Sequence, residues 1–217
     1  MIARLPRPAA IVAILAGGEG RRLGGITKAL LSIDGRPLWR WAIDALAHQG
    51  LGCVLSVAAG SAAAAWVIES GVPSVIDAVP DGGPLAGIAA AIDWARTACP
   101  EANTVVSVPV DVPFVPPDLV ARLTAAAPLD GIAVAESAGR QHHAIAAWPI
   151  TCRDQLATAI SGGEAAVHRF QARVETTTVH WPAEPFDPFF NINTPDDLRA
   201  AEGLASRVAA VSSRSFA

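Results

Sequence analysis

Residues 15–28, LAGGEGRRLGGITK, set five glycines and three cations directly behind an apolar run. Glycines let backbone N–H groups approach an anion without a Cβ in the way, and Arg21, Arg22 and Lys28 supply the positive charge that a polyphosphate attracts. The apolar run 9–15 reads as a buried strand, which puts the loop at a strand's carboxyl end, where open α/β sheets bind their ligands. Two common phosphate loops are excluded. A Walker A loop closes on Gly-Lys-Ser/Thr, whereas Lys28 follows Thr27 and precedes Ala29, so the magnesium-binding hydroxyl is missing from its place. A dinucleotide fingerprint fails at Leu23, which stands where the third glycine belongs, and Asp34 before Gly35 reads as a turn residue rather than a ribose ligand.

The second chemical feature is Asp111, directly after the apolar run 104–110 and held between Pro109 and Pro113. Magnesium takes one or two carboxylates plus phosphate oxygens, so one aspartate facing a glycine-rich loop is chemically sufficient. The plain alternative is a solvated aspartate at a strand–loop junction. The chain has no G-x-S-x-G elbow, no carboxylate pair at a recognisable spacing and no zinc motif. Its chemistry therefore rests on positioning and charge rather than on a nucleophile and base.

The loop resembles the signature of nucleotidyltransferases that activate small phosphates with a nucleoside triphosphate, L-x-G-G-x-x-x-R-L-G followed by Lys. The matches are Leu15, Gly17, Gly18, Arg22, Leu23, Gly24 and Lys28. Within that superfamily the chain is similar to the molybdenum cofactor guanylyltransferase family over nearly its whole length. Further motifs carry the likeness: Gly35-Arg36-Pro37-Leu38, Gly83-Pro84-Leu85-Ala86-Gly87-Ile88, the run 108–119 around Asp111-Val112-Pro113, and Phe190-Asn191-Ile192-Asn193-Thr194-Pro195-Asp196-Asp197-Leu198.

The resemblance implies transfer of GMP from GTP to molybdopterin with release of pyrophosphate, Mg2+ as cofactor, and Asp111 as the metal-binding residue. It places Lys28 and Arg22 on the triphosphate as catalytic cations, with Leu15, Ala16, Gly17, Gly18, Ser56, Asp77 and Gly83 around the nucleotide. Lys28 has a surface lysine as its plain alternative, Asp77 a turn residue, and Gly83 a tight turn opening a helix. Asn191 and Asn193 flank Ile192, so an extended segment turns both amides to one side and the isoleucine to the other. They suit a phosphate, a pterin or a second metal contact, or else turn and cap the chain before Pro195. With His142 they form the expected acceptor group.

Three departures bear on this likeness. Ser56 falls where the family often has asparagine beside the base, Thr27 replaces an acidic residue, and His142-His143-Ala144 replaces one histidine and a following proline. Gly17-Gly18, in place of the Ala-Gly of related cytidylyltransferases, favours guanine on resemblance alone. The rival readings are a cytidylyl- or sugar-phosphate nucleotidyltransferase and a non-catalytic nucleotide- or cofactor-binding protein.

Positioning these residues requires an alternating framework, and the apolar runs supply one. Strands are expected at 10–15, 54–58, 74–76 and 104–110, with helices at 37–49, 61–70, 84–99 and 117–127 between or after them. Ser61 is a suitable N-cap and Pro37 suits a first helical turn. This order predicts an α/β fold of right-handed βαβ units, with a mainly parallel sheet flanked by helices. Residues 132–136 and 141–148 read as a hairpin across 137–139, followed by helices at 151–160 and 164–172 and a strand at 174–180. Thr194 caps the last helix, with Pro195 in its first turn and carboxylates near its positive end. The resemblance implies a single-domain, Rossmann-like three-layer fold of the nucleotide-diphospho-sugar transferase type. In it residues 9–130 form a nucleotide-binding half, 131–205 an acceptor-binding half and 206–217 a tail.

Composition sets outer limits. At 217 residues and a formal net charge of −4, with cations scattered apart from Arg21 and Arg22, the chain shows no basic face for nucleic acid. Cys53, Cys99 and Cys152 lie far apart with no C-x-x-C and read as small buried hydrophobes, which fits a reducing compartment. Arg4 and Arg7 precede an apolar stretch in signal-peptide order, but that stretch runs straight into the phosphate loop. A cytoplasmic monomer with no membrane span is expected, in transient contact with molybdoenzymes or their chaperones.

Overall fold

Alternate residues of the first strand point into two different cores, and that division organises the molecule. The computed structural model describes residues 9–17, 19–20, 26–58, 64–77, 79 and 82–214; Gly18, Arg21, Arg22 and the Ser61 cap lie outside the described residues. In β1 (Ala10–Leu15), Ala10, Val12 and Ile14 pack with Trp39 and Leu46 of α1 (Leu38–Leu46) and Leu119 and Leu123 of α4 (Leu119–Ala126). Ile11 and Ala13 pack instead with Leu85, Ile88 and Ile92 of α3 (Gly83–Ala98), Leu156 of α5 (Arg153–Ser161) and Phe170 of α6 (Val167–Gln171). A strand covered on both faces needs apolar side chains at every position, which is why 10–15 carries no polar residue.

β1 lies in a seven-stranded sheet between parallel neighbours β6 (Gly52–Ala58) and β8 (Thr104–Pro109). Parallel β7 (Ser74–Asp77) completes one side. On the other side β10 (Arg140–Pro149) runs antiparallel to both β8 and β9 (Ile132–Ser137), and β11 (Thr176–Trp181) pairs in parallel with β9. The sheet is thus mixed and mostly parallel, with helices on both faces, as the alternation predicts. The hairpin turns at Ala138 and Gly139, with φ of 50° and 71°. Asp34 and Gly35, with φ of 51° and 75°, form the same kind of two-residue turn between β4 (Ser32–Ile33) and β5 (Arg36–Pro37).

The differences from expectation have local causes. α1 stops at Leu46, three residues before the expected end, and Gln49 folds back to donate to the Ala45 carbonyl at 2.8 Å. α6 begins at Val167 rather than 164, because Glu164 Oε1 accepts the Ala166 N–H at 3.0 Å and holds the chain in a turn there. α2 (Ala64–Ser70) follows β6, and α7 (Pro195–Arg214) continues past residue 205 through most of the segment read as a tail. α7 packs Leu198, Ala201 and Leu204 into a third cluster with Ile33, Leu38, Phe114 and Ile192. That cluster joins the far end of the chain to the end of β8.

Candidate functional site

The carboxyl ends of β1, β6 and β8 form one rim. Ala16 N–H donates to the Ser56 carbonyl at 2.8 Å, and Val110 N–H donates to the Leu15 carbonyl at 3.0 Å, so both neighbours hold the start of the glycine-rich loop. A Cβ on Gly17 would come within 3.2 Å of the Ala58 backbone N, a close approach that favours glycine there. β2 (Glu19–Gly20) pairs antiparallel with β3 (Ile26–Thr27), which folds the loop back on itself ahead of Lys28.

Lys28 closes the loop against Asp111. Its Nζ donates to Asp111 Oδ2 and to Asn193 Oδ1, both at 2.5 Å. Asp111 is 7 % exposed, and its other oxygen, Oδ1, is buried without a hydrogen-bond partner among the described residues. Burial pushes the Asp111 carboxyl above the usual carboxylate range, while the Lys28 ammonium beside it pulls the other way. A buried carboxylate oxygen with no donor is a costly arrangement that a cation relieves. Among the described residues no group of three His, Cys, Asp or Glu side chains is placed to hold a metal. Asp111 is a donor of the kind Mg2+ takes, one carboxylate with phosphate oxygens and water completing the shell.

Asn193 reaches this centre through Lys28, and Asn191 lines one cavity with it. Ile192 is fully buried in the third cluster, and its N–H donates to the Asp111 carbonyl at 3.0 Å. Asn191 Oδ1 is buried and has no hydrogen-bond partner among the described residues. Asp197 Oδ2 accepts the N–H groups of Asn193 and Thr194, each at 2.9 Å, and Thr194 Oγ1 accepts the Asp197 N–H at 3.1 Å. This reciprocal cap fixes the start of α7 and, through it, the backbone that carries Asn193.

The other nucleotide candidates have distinct settings. Ser56 is buried, with its Oγ 2.7 Å from where a Cβ on Gly87 would lie, so it faces the underside of α3. Asp77 Oδ1 accepts the Val79 N–H at 3.0 Å, an Asx turn at the end of β7, and burial pushes its carboxyl upward. Gly83 has φ of 60°, and a Cβ there would stand 3.0 Å from the Ala165 carbonyl oxygen. Gly18 and Arg22 lie outside the described residues.

A cavity of about 340 Å³ opens beside Asn193, walled by Ser137, Arg140, Asp187, Phe190 and Asn191 among others. His142 stands behind that wall, not in it. It packs on Phe189 at 5.0 Å between ring centres, its Nε2 lies 2.8 Å from Ser137 Oγ, and burial holds its pKa below the usual histidine value. Ser137 donates to Asp187 Oδ1 at 2.6 Å, and the same oxygen accepts the Phe189 N–H at 2.9 Å. These residue types match a hydrolytic triad, but the serine is central and fully buried, so it serves as a strut and not a nucleophile. His143 is turned elsewhere, with Nδ1 2.7 Å from Gln171 Oε1. A larger open depression of about 560 Å³ between α5 and α6 is lined by Glu164, Arg169 and Arg173 and contains none of the site residues.

Sequence reasoning missed Ser137, Arg140 and Asp187, which have no motif spacing and meet only because the hairpin turn faces the segment before Phe189. It also missed Gln49, whose amide donates to the Pro116 carbonyl and accepts the Val120 N–H, bracing the loop after Asp111. Only Asp197 left a signal, in its place three residues after Thr194.

Comparison with known proteins places this geometry in a family. The model of the MobA-like NTP transferase domain matches residues 12–177. The molybdenum cofactor guanylyltransferase of Rhodopseudomonas palustris (strain HaA2) is 46% identical over 208 residues, covering 93% of this chain and 94% of that protein. The protein of the same name from Cereibacter sphaeroides is 42% identical over 191 residues, covering 88% of this chain and 94% of its own length. Among solved structures, molybdopterin-guanine dinucleotide biosynthesis protein A from Archaeoglobus fulgidus superimposes with a TM-score of 0.69 at 26% identity, covering 91% of this chain and 99% of that chain. The 2-C-methyl-D-erythritol 4-phosphate cytidylyltransferase of Thermus thermophilus shares the fold, with a TM-score of 0.65 at 20% identity over 89% of this chain and 98% of its own.

Proposed function

Because the chain belongs to the MobA-like NTP transferase family, we propose that it transfers GMP from GTP to the terminal phosphate of molybdopterin, releasing pyrophosphate and forming the guanine dinucleotide cofactor. The observation that carries this reading is the Lys28–Asp111–Asn193 cluster at the carboxyl ends of β1 and β8, where a buried carboxylate oxygen has no donor among the described residues. An acceptor phosphate oxygen is already anionic at neutral pH, so its attack on the α-phosphorus needs no general base, and the bond to pyrophosphate breaks as the new anhydride forms. The work left to the protein is positioning and charge neutralisation. Lys28 and Arg22 take the charge of the triphosphate, and Ala16, Gly17 and Gly18 belong to the loop around it.

Asp111 would hold Mg2+, with Asn193 beside it, and the bound ion would supply charge stabilisation on the phosphates. Leu15, Ser56, Asp77 and Gly83 belong to the nucleotide side, with Ser56 shaping the packing under α3. The cavity beside Asn191 and Asn193 takes the acceptor, and His142 supports its wall from behind. Residues 9–130 thus serve the nucleotide and 131–205 the acceptor. No described helix is long and apolar enough to cross a membrane, and we place the protein in the cytoplasm as a monomer that hands its product to molybdoenzymes or their chaperones.

The deciding experiment is pyrophosphate release by the purified protein with magnesium and molybdopterin or molybdenum cofactor, comparing GTP with CTP and omitting the acceptor as control. Acceptor-dependent release with GTP alone is the expected result. Release with CTP moves the chain to cytidylyl transfer. Nucleotide binding without release under every condition overturns the enzymatic reading.

A further inference from the structure

The Lys28 ammonium bridges Asp111 and Asn193. Its two acceptors, a carboxylate oxygen of Asp111 and the amide oxygen of Asn193, each at 2.5 Å, are the hard oxygen donors that Mg2+ and Mn2+ take. The other Asp111 oxygen, Oδ1, is buried and has no donor among the described residues. The ammonium thus engages one oxygen of the carboxylate and leaves the other unsatisfied by any described residue. The Lys28 side chain is 16% exposed and that of Asp111 9%, so bulk solvent screens the pair poorly.

We propose that in the nucleotide-free protein the Lys28 ammonium is the resident cation of this site. It competes with the divalent metal for Asp111 and Asn193, so that metal binds tightly only together with a nucleotide. This rests on Asp111 being the metal ligand, as argued above. In direct contact one carboxylate meets one ammonium, with the Asp197 carboxyl near enough to feel the same charge. A divalent ion added to that pair meets a like charge across shared oxygens, in a place where repulsion is strong. A triphosphate changes the balance by bringing its own negative charge, which draws the flexible lysine stem outward and lets both cations stay. Lys28 is therefore a gate on the order of binding as well as a phosphate contact, and it keeps the free protein from holding a metal without its nucleotide.

Mn2+ binding, read from the electron paramagnetic resonance signal of the free aquo ion, tests this without any turnover. In the absence of nucleotide, Lys28→Met should bind Mn2+ about tenfold or more tightly than the parent, the order expected when a contacting like charge is removed from a poorly screened site. Lys28→Gln, with a different neutral side chain, should move the same way, and thermal melts should show both variants folded. Adding Asp111→Asn to either variant should abolish the gain. Unchanged or weaker Mn2+ binding in both folded single variants overturns the proposal, as does a gain that survives Asp111→Asn. Parent protein and Asp111→Asn are also compared with GTP present. If Asp111→Asn binds Mn2+ as the parent does, the metal-ligand assignment falls and this proposal with it. If it loses the ion while the Lys28 variants fail to tighten, only the competition falls.

Discussion

The backbone N–H of Ile192 donates to the backbone carbonyl of Asp111 at 3.0 Å, which ties the segment before α7 to the end of β8. Through this bond the loop that carries the buried carboxylate and the segment that carries Asn191 and Asn193 become one unit. Asp197 secures the far side of that unit by accepting two backbone N–H groups, from Asn193 and Thr194. Asp197→Ala should cost about 1 kcal/mol of stability, as a lost helix cap does, and should also slow pyrophosphate release because Asn193 loses its fixed backbone. Those N–H groups hold the Asp197 carboxyl below its ordinary value of 3.8. A folded pKa below the unfolded one means that this stabilisation is present above pH 3.8 and fades as the pH falls further. Denaturant melts of parent and variant should therefore converge in acid.

Asp111 and Lys28 form the centre of the proposed chemistry, and each variant has its own signature. Asp111→Asn and Lys28→Ala should each lower the rate of pyrophosphate release by about 10²-fold or more, the usual loss when one preorganised charge is removed from a developing negative centre. Asp111→Asn leaves the Lys28 ammonium facing two neutral amides in a poorly screened site, so it should also destabilise the fold. Single-turnover assays with both variants, alongside melts, separate the two effects. Full activity in either variant would remove the cluster from the mechanism.

How far the sequence reveals this site depends on the kind of signal each residue leaves. Lys28 and Asp111 are legible because their chemistry lies in local pattern: a cation closing a glycine-rich loop, and a carboxylate directly after an apolar run. Asn193 is legible through its alternation with Asn191 around Ile192, although its partner Lys28 is not. Ser137, Asp187 and Gln49 leave no trace, because each acts only after distant segments meet. The framework is legible for the same local reason. Six apolar residues in a row at 10–15 demand cover on both faces, and turn residues mark the ends of elements. β10 is legible to within a residue at each end, 141–148 against Arg140–Pro149, whereas the register shift in its pairing with β9 between His142 and Ala146 leaves no mark in the sequence. Successive residues of a strand point to opposite faces, so His142 faces Ser137 while His143 faces Gln171.

The cysteines give a prediction about reactivity. Burial pushes the thiols of Cys53 and Cys152 up to about 12, so almost no thiolate exists near neutral pH. Both should resist a disulfide reagent such as Ellman's in the native protein at pH 8 and react at once in denaturant. Rapid labelling of the native protein, mapped to either residue by mass spectrometry, would contradict the packing of β6 or of the turn before α5.

The contact between α3 and β6 yields the last prediction, which bears on Ser56. A Cβ on Gly87 would lie 2.7 Å from Ser56 Oγ, too close for either to stay in place, whereas Ser56 Cβ and Leu15 Cδ2 would be at ordinary distances of 3.7 and 3.5 Å. Gly87→Ala should therefore cost about 1–3 kcal/mol, the range for overpacking a core. Ser56→Ala removes the one clashing atom, so the double variant should recover most of that loss, and a double-mutant cycle in denaturant should show coupling of about 1 kcal/mol or more. If Ser56 acts on the nucleotide only through this packing, the double variant should also keep the parent's preference between GTP and CTP. A changed preference with stability restored would instead mean that the Ser56 hydroxyl itself reads the base.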